Sequence, residues 1–241
     1  MSEVNLLDLY PKSRRPLLAR GKIKLSGKGR LPAEKNNFIT TEDQMVSQKL
    51  LQVARKFGKE YFDGDRLYGY GGYKYDPKFW TKTAKRLRDY YNLESGARVL
   101  DVGCAKGYLL HDLKRQFPEI YIAGVDISEY AVKNAHPSVR DYIKVADAVS
   151  LPFPDKSFDL VVSVNTVSNP PLEQCKQAIR EIIRVSRKEA FITVHAWETE
   201  DQKRNLSNWN LTAKTALQVK DWEALFLEVG YMKDYYWSIL K

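Results

Sequence analysis

Val99-Leu100-Asp101-Val102-Gly103-Cys104-Ala105-Lys106-Gly107 is the stretch on which the fold is decided. The apolar run Arg98–Val102 has the length of a buried strand. It enters a glycine-bearing turn, and a helical pattern opens at Tyr108. Glycines in such a turn let the backbone adopt positive φ and approach a ligand closely. A dinucleotide fingerprint needs G-x-G-x-x-G at this place. Counted from Gly103, the second and third glycines are replaced by Ala105 and Tyr108. A bulky tyrosine is unsuited to the point where the helix packs closely on the strand. Asp101 argues the same way, because a carboxylate beside the turn repels a pyrophosphate and suits a cation.

Outward from this stretch the chain alternates strand and helix. Helical patterns cover Tyr108–Phe117, Glu129–Ala135, Leu172–Val185 and Asp221–Val229, the last closed by Gly230. Strand patterns cover Tyr121–Val125, Tyr142–Ala146, Phe158–Val164 and Ala190–Val194, and the aromatic last ten residues read as one more. Apolar strands alternating with amphipathic helices define an α/β fold, a mostly parallel sheet with helices on both faces. Ligands of such sheets bind at the carboxyl ends of the strands. The residues there are Asp101 and Gly103, Asp126, Asp147, Asn165 and His195.

Three regions are expected: a basic arm over residues 1–40, poorly ordered or draped over the domain, a helical and Tyr/Gly-rich cap over 41–95, and the ligand-binding domain over 96–241. Within the cap, residues 42–60 and 78–91 look helical. Residues 1–35 hold nine of the 39 Lys and Arg but only three of the 30 acids, so most of the net charge of +9 sits in this arm. It reads either as a solvated tail or as an anchor for phosphates or an acidic surface. No run of about 18 apolar residues predicts a membrane span. The start lacks the basic and apolar pattern of a secretory signal, so a cytoplasmic protein is expected. Cys104 and Cys175 have neither disulfide nor metal spacing.

The motif at residues 101–107 resembles the first motif of class I, Rossmann-like methyltransferases, an acid, one residue, then G-x-G-x-G. Asp101, Gly103 and Gly107 match it, with Ala105 at the middle glycine. Asp126 falls where that family places an acid for the ribose hydroxyls, and Asp147 where it contacts the adenine amino group. The resemblance covers roughly residues 95–195. It implies S-adenosylmethionine as cofactor, held by Asp101, Gly103, Ala105, Gly107, Asp126, Ile127, Asp147, Ala148 and Asn165. The glycine and tyrosine pattern ahead of the domain, with Trp209-Asn210-Leu211-Thr212 behind it, resembles bacterial methyltransferases associated with surface polysaccharides.

The implied acceptor is a small molecule or saccharide, methylated at oxygen or nitrogen. His195 and Asn165 are the candidate catalytic residues, His195 as a base or as a purely structural histidine. Tyr70, Tyr73, Trp197 and Trp209 are the candidate acceptor contacts, the tyrosines either as a lid or as an ordered strap. Pro170 and Pro171 read as the start of the next helix. Two alternatives stay open: an RNA or protein methyltransferase anchored by the basic arm, and a cofactor-binding protein without turnover. Only one strand is evident after the last helix, where the family closes with a hairpin, so this sheet edge is expected to be trimmed or completed by another segment.

Overall fold

A computed structural model describes residues 1–7 and 41–240, with the side chains of 41–47 left aside. The basic residues from Lys12 to Lys35 lie outside the described residues. Seven strands form the sheet: β1 (Arg98–Val102), β2 (Tyr121–Asp126), β3 (Ile143–Val145), β4 (Phe158–Val164), β5 (Ser186–Trp197), β6 (Leu217–Gln218) and β7 (Asp234–Ser238). Their order is β3-β2-β1-β4-β5, with β6 and β7 both paired to β5, and every pairing is parallel. Parallel pairing requires crossovers. These are supplied by α4 (Tyr108–Gln116), α5 (Glu129–Lys133), α6 (Leu172–Val185), α7 (Glu200–Trp209) and α8 (Val219–Glu228). Three further helices, α1 (Thr41–Ala54), α2 (Lys59–Phe62) and α3 (Pro77–Tyr90), precede the sheet.

Both sheet faces are buried, as the largely apolar central strands require. Leu100 and Val102 of β1 pack with α6 and α8, whereas Val99 packs with α3 and α4. Arg187 pairs with the buried Asp159 at 2.6 Å where β4 and β5 begin, at the end of the sheet opposite the glycine turn.

Three elements differ from the expectation, each for a local reason. The helix expected over 42–60 breaks after Ala54, because Phe57 takes φ 49° and Gly58 is the extended cap of α2. β5 runs past His195 to Trp197, since Ala196 and Trp197 pair with β6. Helix α7 escaped the periodicity because Leu206 is its single buried residue. Its start was written in the sequence, however, as a capping box between Thr199 and Gln202.

The open sheet edge is completed by the chain's own beginning. Val4 N–H donates to Tyr235 O at 2.8 Å and Tyr235 N–H donates to Ser2 O at 3.0 Å, so residues 2–4 run alongside β7. Leu6 and Leu7 then enter the core under α3 and α4. Among the described residues no helix is long and apolar enough to cross a membrane, and no group of acid, His and Cys side chains could hold a metal.

Candidate functional site

The turn after β1 is shaped by left-handed backbone. Gly103, Ala105 and Gly107 have φ of 81°, 51° and 74°. A Cβ on Gly103 would lie 2.0 Å from Thr166 Oγ1, so this position admits only glycine. Ala105 does adopt the conformation for which the related motif uses glycine, at a cost of roughly 1 kcal/mol. Ala105→Gly removes that strain but adds unfolded-chain entropy. A net gain of about 0.5 kcal/mol is expected, or roughly 1–2 °C in the thermal midpoint. Ala105→Val should instead lower the midpoint by several degrees, and calorimetry of the two variants checks the order.

Asp126 pins this turn from β2. Its Oδ2 accepts from Ala105 N–H at 2.7 Å and its Oδ1 from Ser128 N–H at 2.8 Å. Burial raises its carboxyl, and the two backbone donors oppose the rise. Asp101 is fully enclosed beneath the turn, and burial together with the Asp126 charge pushes it up to about 7.

A cavity of about 600 Å³ opens above the strand ends. Gly103, Ala105, Asp126, Ile127, Asp147, Ala148 and Asn165 line it, together with Tyr70, Tyr73, His195 and Trp209. Asp101 and Gly107 stand behind this wall, Gly107 as the cap of α4. Trp197 corrects the expectation, for it does not line the cavity. It pairs in register with Gln218 of β6, and Lys203 Nζ sits 5.7 Å from its ring centroid. The extension of β5 beyond His195 carries it away from the site.

Asn165 and His195 are held by their neighbours. Asn165 Oδ1 accepts from Thr193 Oγ1 at 3.1 Å and from Ser238 Oγ at 3.0 Å, which directs its amide nitrogen away from them. His195 lies in register beside Ser238 of β7, and its Nδ1 is buried without a partner. Burial lowers the imidazole to about 4, so it is neutral at pH 7. The Trp209 ring meets His195 edge-on at 5.3 Å, and its Nε1 is also buried and unpartnered.

The cap is tied down by contacts that the sequence did not single out. Lys106 Nζ donates to both oxygens of Asp63 at 2.8 and 2.7 Å, and to Tyr73 O at 3.0 Å. Tyr130 OH also donates to Asp63 at 2.7 Å. Burial alone would raise the Asp63 carboxyl, but these donors hold it below the usual range. Farther along, Tyr75 OH donates to Asp112, which also pairs with Arg115 at 2.7 Å. The Tyr/Gly segment is thus part strap, at Tyr75, and part cavity wall, at Tyr70 and Tyr73. Pro171 caps α6 as expected, yet it also lines the cavity. A lysine inside a glycine turn was the available signal for the Asp63 tie. Thr166, Lys214 and Ser238 had no comparable signal, because only the fold brings them to the strand ends.

The parallel sheet with helices on both faces is the Rossmann-like α/β fold that class I methyltransferases share. Residues 99–189 match the family described as "Methyltransferase domain". The chain is 31% identical to an uncharacterized protein of Haemophilus influenzae over 147 residues, 56% of this chain and 58% of that one. It is 30% identical over 145 residues to the tRNA (carboxymethyluridine(34)-5-O)-methyltransferase of Arabidopsis thaliana, 59% of this chain and 33% of that one. The chain thus spans less than two thirds of these curated relatives. Among solved structures, the cyclase SpnF superposes with a TM-score of 0.51 at 22% identity, over 78% of this chain and 71% of that one. A complex of the Haloferax volcanii Trm112 methyltransferase activator with a methyltransferase gives 0.50 at 23%, over 76% and 75%. One fold that serves both a cyclase and a methyltransferase leaves the reaction to be argued from the site.

Proposed function

We propose that this protein transfers a methyl group from S-adenosylmethionine to an oxygen or nitrogen of a small-molecule or saccharide acceptor. One observation carries the reading. A single cavity joins the acid-flanked glycine turn to an aromatic wall that contains an unpartnered histidine nitrogen. The turn end fits this cofactor. Its charged side chains are carboxylates, which suit a cation and a vicinal diol and oppose a pyrophosphate. Asp126 would hold the ribose hydroxyls, Asp147 the adenine, and the backbone of Gly103 and Ala105 the amino-acid end. When bound, the cofactor supplies a methyl carbon activated by its sulfonium.

The chain's own residues position the acceptor and exclude water. Tyr70, Tyr73 and Trp209 offer ring faces, and Asn165 offers an amide donor at the end of β4. The His195 imidazole, neutral at pH 7, takes the acceptor proton as the new bond forms. S-adenosylhomocysteine should bind by calorimetric titration, and well-folded protein that does not bind it would refute the reading. A bound cation favours ionised Asp101. Affinity for S-adenosylmethionine should therefore rise from pH 6 to pH 8, with proton release, and Asp101→Asn should flatten that rise. The resemblance to a tRNA methyltransferase keeps RNA as a second acceptor class. Salt-dependent RNA binding that disappears when the Lys and Arg residues between Lys12 and Lys35 are changed to Gln, with residues 1–7 kept, would favour it.

A further inference from the structure

We infer that the acceptor carries an anionic group, a phosphate or a carboxylate, and that the cavity holds a cationic subsite for it. This rests on the methyl-transfer reading for the ligand's role as acceptor. Five cations line the cavity, and they come from three separate parts of the chain. Arg55 and Lys56 follow α1, Arg66 and Lys74 belong to the cap, and Lys214 lies between α7 and β6. The lining acids are Asp126 and Asp147, both on the cofactor side.

Elsewhere several cations are paired with acids. Lys106 pairs with Asp63, Arg115 with Asp112, Arg184 with Glu181 and Asp155, and Arg187 with Asp159. Among the described residues, Arg55, Lys56, Lys74 and Lys214 have no acidic partner. Arg55 is half-buried, and its Nε is enclosed without an acceptor. An enclosed guanidinium nitrogen lacking an acceptor is costly, and the fork geometry matches a carboxylate or phosphate. The cofactor is itself a net cation at neutral pH, so its arrival adds positive charge to a wall that is already positive. An anionic acceptor balances both. The neighbouring rings of Tyr70, Tyr73 and Trp209 suit an acceptor with a polar ring, such as a sugar phosphate or a uronic acid.

The test titrates the full chain with glucose 1-phosphate, glucuronate and glucose, each with and without S-adenosylhomocysteine, at fixed ionic strength. At least one acidic probe should bind tenfold or more tightly than glucose, and the stronger of the two identifies phosphate or carboxylate as the preferred group. The variant Arg55→Gln/Lys74→Gln/Lys214→Gln should lose that preference while binding S-adenosylhomocysteine within threefold of wild type. Three results each overturn the inference: no preference for the acids in wild type, a preference that survives in the variant, or loss of S-adenosylhomocysteine affinity in the folded variant, which would put these cations on the cofactor side. Failure of wild type to bind S-adenosylhomocysteine would sink the methyl-transfer reading alone, since the probe titrations without it still decide whether the subsite exists.

Discussion

Asp126→Ala is expected to weaken S-adenosylhomocysteine binding a hundredfold or more. The carboxylate does two jobs at once. It accepts Ala105 N–H and Ser128 N–H, which fixes the turn against the end of β2. Each oxygen also retains a second lone pair for a ligand hydroxyl. A hydrogen bond to a charged group contributes about 1.5–3 kcal/mol, so losing two toward a diol corresponds to more than two decades in affinity. Asp126→Asn keeps one acceptor oxygen and should fall between. Calorimetry measures the affinities, and circular dichroism melts establish that the variants are folded. A folded Asp126→Ala protein with affinity within threefold of wild type would remove Asp126 from the cofactor site.

The sequence carried the central layer of this fold because its strands are buried on both faces. A mostly apolar run suits such a strand, and β1 and β4 stand out for that reason, although each also buries an acid. The strand-end acids were legible because topology places them at one edge of the sheet. Elements held by a few polar contacts were not. Helix α7 buries one residue, and the break at Phe57 depends on a backbone angle that no residue type announces. Trp197 was misplaced by a single inference, that β5 stops at His195. Two residues of pairing with β6 were enough to move its ring out of the cavity. Ser238 shows the limit most clearly. It is a serine near the end of the chain, yet it holds Asn165 and lies in register beside His195, because β7 lies directly beside β5.

His195→Gln is expected to reduce kcat about a hundredfold or more on a hydroxyl acceptor, the scale of a lost general base. Glutamine is uncharged and close to histidine in size, so the change removes the imidazole base with little disturbance of β5 and β7. An imidazole lowered to about 4 is a weak base before reaction. It suffices because the acceptor hydroxyl becomes strongly acidic as its oxygen bonds the methyl carbon. The wild-type rate should therefore show no inflection near pH 6.5 from this residue. Stability supplies an independent readout. Between pH 6.5 and about 4 the unfolded chain binds a proton at His195 that the folded chain refuses. Folding stability is therefore lost as pH falls through that window, by up to about 3 kcal/mol. Asp101, raised to about 7, acts in the opposite sense, because the folded chain holds its proton where the unfolded chain has released it. The two partly cancel in wild type, so the difference between wild type and His195→Gln in urea denaturation at pH 7 and pH 4.5 isolates the histidine. If the two proteins keep a constant difference, His195 is not buried as a neutral ring, and its place as the base fails with it.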